Sequence, residues 1–157
     1  GTVPLSAVVT HSDVFNPFAK VEKVEDSLLT GHTYAANPTA CAAAIASLDL
    51  FERNHILENA AARAQQLTDC LPKFKALPQV EDTRQVGRAC AIELHDPEQP
   101  DQPAYGAKIG LAATRQAYQH GILIRNIGPA LILCPQISIS KQNLEDLLDK
   151  LLSCLSQ

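Results

Sequence analysis

The sequence lacks a long apolar segment and an excess of positive charge. Its longest apolar run, Ala40–Leu48, is about half of the ~20 residues that a membrane-spanning helix requires. There are 13 Lys and Arg residues against 17 Asp and Glu residues, which gives a formal net charge of −4, whereas nucleic-acid-binding surfaces are basic. The first ten residues contain neither the basic nor the apolar part of a signal peptide. We therefore predict a soluble, cytoplasmic protein that binds neither membranes nor nucleic acid.

The sequence also lacks the cysteine and histidine spacings of metal sites. Its five cysteines include no Cys-x-x-Cys pair, and its five histidines form no His-Glu-x-x-His or His-x3-His pattern. An odd number of widely spaced cysteines is typical of reduced thiols and not of a disulfide framework. We predict no metal site and no disulfide bonds.

Methionine is absent altogether, and the chain begins at Gly1. Because a gene product normally begins with methionine, we interpret the sequence as a processed or truncated piece of a longer protein. Its composition, 46% hydrophobic and 19% charged, is nevertheless that of an ordinary globular domain. A chain of 157 residues can bury about 70% of its unfolded surface, so a hydrophobic core is expected.

Residue patterns predict strands that alternate with helices, and hence an α/β or α+β architecture. In the first 53 residues they predict a strand over Val3–Thr10, a long loop over Val21–Asn37, and a helix with Asn37 as N-cap and Pro38 in its first turn. This part has too few elements to bury its apolar residues, so it needs a larger sheet to pack on.

Residues 54–157 are predicted to form a self-contained unit. The expected elements are a helix capped by Asn54 and ended by Pro72, an alternating strand-like stretch over Val80–Leu94 with a kink or bulge at Gly87, a helix over Ala104–His120 ended by Gly121, strands over Ile122–Arg125 and Ala130–Cys134, and a helix capped by Ser140.

Two segments contain candidate binding groups. Gly31-His32-Thr33-Tyr34 precedes a helix start, where a hydroxyl and backbone amides suit a phosphate or carboxylate, although an ordinary capping loop has the same pattern. Arg125 follows an apolar strand and could clamp a carboxylate with two hydrogen bonds or form a surface ion pair. Arg84 allows the same two interpretations.

Four blocks carry a resemblance to a known family. They are GTVPLSAVVTHSDVF, GHTYAANPTACAAAIASLDLFE, LPQVEDTRQVGRACAIEL and GILIRNIGPALILCPQISIS. Together they resemble, in the same order, the C-terminal part of the class III pyridoxal-phosphate (PLP) aminotransferases, and the resemblance extends over essentially all of the chain. Within the family they are most similar to the enzymes that form diaminopelargonic acid in biotin synthesis.

The resemblance implies a fold type I PLP-dependent transferase. Residues 1–53 correspond to the end of its large PLP-binding domain, and residues 54–157 correspond to its small α+β C-terminal domain. It implies that Thr33 binds the cofactor phosphate through its hydroxyl and amide, across the interface of a homodimer. His32 lies in the same cofactor site, Gly31 lies beside the substrate, and Arg125 holds the substrate carboxylate. The expected reaction moves an amino group between an amino donor and a keto acid or similar acceptor.

The sequence departs from the family pattern in two ways. Asn126 follows the arginine where the family usually has proline, and Pro135-Gln136 replaces a Pro-Pro pair. In the family, the lysine that forms a Schiff base with PLP precedes the position of Gly1, so no catalytic residue is assigned in this chain. PLP chemistry requires that amine to hold the aldehyde and transfer a proton, and we expect these residues alone to be inactive. The alternative is a free-standing, non-catalytic module that binds an anion or self-associates.

Overall fold

The computed structural model describes residues 3–19, 23–28, 30–96 and 108–156. The chain divides into two compact units, Gly1–Asn54 and His55–Gln157. Within the described ranges, no helix is both long and apolar enough to cross a membrane.

The first unit contains helix α1 (Ser12–Ala19), a 3-10 turn (Val24–Asp26) and helix α2 (Pro38–Arg53). Helix α2 begins as predicted. The Asn37 side chain accepts a hydrogen bond from the Ala40 amide at 3.0 Å, and Pro38 is the first helical residue. Among the described residues of this unit, only Ala40 is buried.

The predicted strand over Val3–Thr10 is wrong, because the described residues 3–10 form no regular element. Val8 and Val9 are 95% and 93% exposed. The composition of this segment suits a strand, but a strand exists only when its backbone pairs with a neighbour. The described part of this unit contains no strand with which it could pair.

The second unit is a four-stranded antiparallel sheet covered by three helices. Its elements are α3 (Ile56–Lys75), β1 (Val80–Val86), β2 (Ala89–Leu94), α4 (Ile109–Gln119), β3 (Arg125–Ile127), β4 (Ala130–Leu133) and α5 (Lys141–Leu155). The strands lie in the order β1-β2-β4-β3, so β1 and β3 are the sheet edges. Helices α3, α4 and α5 and one face of the sheet form a single core, whose fully buried side chains include Leu67, Phe74, Ile92, Leu131, Leu144 and Leu151.

The alternation predicted within Val80–Leu94 is confirmed in β2, where Cys90, Ile92 and Leu94 are buried. The kink or bulge predicted at Gly87 is wrong, because Gly87 lies in the tight turn between β1 and β2 with a φ of +56°. The register of β1 shifts between Val80 and Asp82, which leaves Glu81 as a bulge.

Both predicted ends of the first long helix in this unit are wrong. Asn54 is the C-cap of α2, and the N-cap of α3 is His55, which is left-handed with a φ of 48° and makes no side-chain cap. Helix α3 continues beyond Pro72 to Lys75. Proline removes one hydrogen bond near the end of the helix, but ending the helix there would displace Phe74, which is fully buried.

The remaining predictions agree in part. The helix predicted over Ala104–His120 is described from Ile109 to Gln119, and residues 104–107 lie outside the described ranges. Gly121 follows it with a φ of 76°. Of the strand predicted over residues 122–125, only Arg125 is in a strand. The Ser140 cap is confirmed, because its hydroxyl accepts a hydrogen bond from the Asn143 amide at 3.1 Å.

Candidate functional site

The segment before α2 is a tight turn held by its own hydrogen bonds. The Ala35 amide donates to the His32 carbonyl oxygen at 2.9 Å, and the Asn37 amide donates to that of Tyr34 at 3.2 Å. The Tyr34 amide donates to Nδ1 of the His32 ring at 3.2 Å. Because Nδ1 accepts this bond, a neutral His32 carries its proton on Nε2, and Nε2 bonds to no described residue.

Thr33 presents two hydrogen-bond donors on this turn. It is exposed, and neither its hydroxyl nor its amide bonds to any described residue. A hydroxyl and a backbone amide at a helix N-terminus are suitable donors for phosphate oxygens. A Cβ added at Gly31 meets nothing within 4 Å, so that side of the turn is open. These residues fit the phosphate end of PLP.

Arg125 is the first residue of the edge strand β3 and lies opposite Ile132 of β4. It is exposed, and no ion pair joins it to a described residue. Arg84 differs, since its guanidinium forms an ion pair with Glu93 and lies 3.5 Å from Asp82 Oδ2. The hydrogen bond and charge of Glu93 raise the pKa of Arg84. Arg84 therefore has carboxylate partners within the unit, whereas Arg125 is available to an outside carboxylate.

An open groove of about 470 Å³ lies beside Arg125. Apart from Arg125 and the Cys134 thiol, its lining side chains are apolar; the lining consists of Leu123, Ile124, Arg125, Ile132, Leu133, Cys134, Pro135 and Leu147. A cation at the edge of an apolar groove suits a carboxylate attached to an aliphatic chain.

The predicted site residues fall into two groups. Gly31, His32 and Thr33 share the turn before α2 in the first unit, and Arg125 lies in the second unit. No group of three or more potential metal ligands occurs among the described residues. All five cysteines are free thiols.

Sequence analysis did not identify the hydrogen bonds of Asn126, the residue that follows Arg125. The side chain of Asn126 donates to the Gly128 carbonyl oxygen at 2.8 Å and accepts from the Thr114 hydroxyl at 3.2 Å. The only sequence signal was that an asparagine stands two residues before a glycine, a pattern typical of turns. Nothing in the sequence indicated that a threonine in the middle of α4 would reach it.

Comparison with known proteins identifies the family. Residues 1–155 match the sequence model of the family described as aminotransferase class-III. The chain belongs to this family, whose members are PLP-dependent enzymes of fold type I.

Individual relatives agree with this assignment. The adenosylmethionine-8-amino-7-oxononanoate aminotransferase of Methanocaldococcus jannaschii is 32% identical over 100% of this chain and 34% of its own length. Its crystal structure superposes with a TM-score of 0.79 over 93% of this chain and 34% of that one. A beta-alanine–pyruvate aminotransferase of Pseudomonas aeruginosa is 28% identical over 95% of this chain and 33% of its own length. The chain thus spans about a third of these relatives.

Proposed function

We propose that these residues are the C-terminal third of a PLP-dependent aminotransferase. The observation that carries the proposal is the family match over residues 1–155. In this proposal Gly1–Asn54 is the end of the large PLP-binding domain, and His55–Gln157 is the small domain. When bound, PLP supplies the group that carries the amino group between donor and acceptor.

Thr33 is assigned to the cofactor phosphate. Its hydroxyl and amide have no partner among the described residues, and they lie in the turn that precedes the N-cap of α2. His32 stands next to it with Nε2 available, and Gly31 leaves room for the substrate. In a homodimer, this turn serves the site of the partner subunit.

Arg125 is assigned to the substrate carboxylate. It has no ion-pair partner within the described residues and lies beside an apolar groove. Several relatives are named for adenosylmethionine and 8-amino-7-oxononanoate. We propose the same pair for this protein, because 8-amino-7-oxononanoate combines a keto group with a terminal carboxylate on an aliphatic chain.

The first test is to sequence the gene immediately upstream of the Gly1 codon. An in-frame extension of several hundred residues that contains the cofactor lysine is expected. The 157-residue chain alone is then inactive, since PLP chemistry requires that amine. A stop codon directly upstream would contradict the proposal and leave an anion-binding or self-associating module as the function.

The second test uses the complete protein. Arg125→Gln removes a charged hydrogen-bonding group and is expected to raise the KM for carboxylate substrates about 10- to 100-fold. Arg115→Gln is the matched control, because Arg115 is an exposed arginine on α4. Thr33→Val, compared with Thr33→Ser, is expected to raise the Kd of PLP about tenfold. Unchanged constants in Arg125→Gln or Thr33→Val would contradict the corresponding assignment.

A further inference from the structure

The turn between β3 and β4 packs against the first turn of α4. Gly110 of this helix is buried. A Cβ added to it would lie 2.1 Å from the carbonyl oxygen of Gly128 and 3.0 Å from Nδ2 of Asn126. No Cβ comes that close to a backbone oxygen, so the absence of a side chain at Gly110 allows the helix and the turn to meet.

Asn126 and Thr114 connect the two elements by hydrogen bonds. Asn126 Nδ2 donates to the Gly128 carbonyl oxygen at 2.8 Å. The Thr114 hydroxyl lies 2.8 Å from the carbonyl oxygen of Gly110 and 3.2 Å from Oδ1 of Asn126. A hydroxyl has one hydrogen and donates to one of these oxygens at a time. Asn126 is half-buried in this arrangement. Its amide is bonded on the turn side, and its Oδ1 lies within hydrogen-bond distance of the Thr114 hydroxyl on the helix side, where it competes with the nearer Gly110 carbonyl oxygen.

Strand β3 depends on such an anchor because it is short and lies at an edge. It has three residues and, among the described residues, pairs with β4 alone, through Arg125–Ile132, Asn126–Leu131 and Ile127–Ala130. Successive side chains in a strand point to opposite faces, so a slip of one residue would exchange the faces of Arg125 and Asn126. Leu131, opposite Asn126, is fully buried, whereas Arg125 is exposed. The hydrogen bonds of Asn126 therefore fix which face presents the guanidinium.

We propose that Asn126 is a positioning residue for Arg125. It holds β3 against α4 and so keeps its register with β4. This keeps the Arg125 guanidinium on the exposed face, beside the apolar groove. This inference rests on the proposed role of Arg125 in binding the substrate carboxylate. Leucine has a similar size but cannot form either bond, so Asn126→Leu leaves the Gly128 carbonyl oxygen without this donor.

The test in the complete aminotransferase is a KM-against-kcat comparison. We expect Asn126→Leu to raise the KM for a carboxylate-bearing substrate about three- to tenfold, with kcat changed less than about twofold. The Kd of PLP, whose phosphate is assigned to Thr33 and not to Arg125, should not change. Thr114→Val should have a smaller effect in the same direction, and Thr114→Ser, which keeps the hydroxyl, should match the wild type.

Arg125→Gln in the same assay separates the two hypotheses. If it leaves the KM for the carboxylate substrate unchanged, the proposed role of Arg125 is wrong. If it raises that KM but Asn126→Leu does not, only the positioning role is wrong. An equal loss of affinity for PLP and for the carboxylate substrate in Asn126→Leu would also overturn positioning, because it would indicate general damage.

Hydrogen exchange on the 157-residue chain gives a readout independent of activity. In Asn126→Leu, the amides of residues 126–128 and 130–131 should exchange about tenfold faster, while the amide of Ile92, at the centre of the sheet, keeps its wild-type rate. Equal acceleration at both places would mean that the variant destabilises the whole unit, and it would overturn the proposal.

Discussion

The two units of the chain differ in how they treat apolar side chains. The second unit places leucines, isoleucines and Phe74 in one continuous core between its sheet and its helices. In the described part of the first unit only Ala40 is buried, while Phe15 and Leu48 are 59% and 68% exposed. Exposed large apolar side chains in this number, with so little buried beside them, indicate that the unit packs on another surface. The second unit therefore buries its apolar side chains within itself, whereas the first unit exposes apolar side chains that need another protein surface to pack on.

The largest expected effect is that of separating the units. A chain of residues 55–157 should unfold cooperatively in urea, because its core is complete. A chain of residues 1–54 should show no cooperative transition, because burial of one alanine does not offset the loss of conformational entropy. Circular dichroism during a urea titration measures both, with the 157-residue chain as control. A cooperative transition for residues 1–54 alone would break the comparison.

A matched pair of leucine substitutions compares the units within one chain. Leu151 on α5 is fully buried and Leu48 on α2 is 68% exposed. Leu151→Ala should lower the free energy of unfolding by about 2–5 kcal/mol, and Leu48→Ala should change it by less than about 0.5 kcal/mol. Chemical denaturation of the two variants provides the values. Similar losses in both would show that the first unit shares a core that its exposure does not reveal.

The pH dependence of the free energy of unfolding tests whether the Cys90 thiol is buried in the core of the second unit. Burial raises the pKa of the Cys90 thiol from 9.0 to about 11. The folded state therefore keeps a proton that the unfolded state releases between these values. The stability from this group is fully present below pH 9 and decreases by about 1.4 kcal/mol per pH unit as the pH rises toward 11.

The measurement is the free energy of unfolding at several pH values between 8 and 11. Cys90→Ala, which removes the titrating thiol, should show a shallower decrease than the wild type. Identical slopes in the wild type and Cys90→Ala would contradict the burial of this thiol.

The smallest expected effect comes from two side-chain helix caps, Asn37 in the first unit and Ser140 in the second. Ser140 and Asn37 both accept a hydrogen bond from the amide three residues later. Ser140→Ala should lower the free energy of unfolding of the second unit by about 1 kcal/mol. Asn37→Ala should leave that transition in place and reduce only the helicity of α2. A loss of about 1 kcal/mol in both variants would show that α2 belongs to the same cooperative unit.

Sequence alone predicted elements whose signals are local. The caps at Asn37 and Ser140 and the alternation of β2 depend on neighbouring residues, and each was found in the structure. The errors at residues 3–10 and at Pro72 arose from tertiary context. A strand needs a partner that the described residues of its unit do not provide, and burial of Phe74 extends α3 past a proline.

The candidate site shows the same division. The turn at Gly31–Thr33 and the position of Arg125 could be inferred from short segments, helped by the family resemblance. The partners that distinguish Arg84 from Arg125 lie across the sheet, and Thr114 reaches Asn126 from a different element. Such contacts depend on the packing of α4 and on strand register, and no local sequence pattern specifies either of them.

The bulge at Glu81 also concerns how the edge strand β1 could pair with other molecules. It interrupts the register of the edge strand β1, and the Lys75 ammonium group donates to the Glu81 carbonyl oxygen. Unpaired edges of sheets recruit strands from other molecules, and bulges and lysines at an edge oppose this. Both features oppose edge-to-edge pairing through β1, so copies of the second unit are expected to associate less readily through this edge.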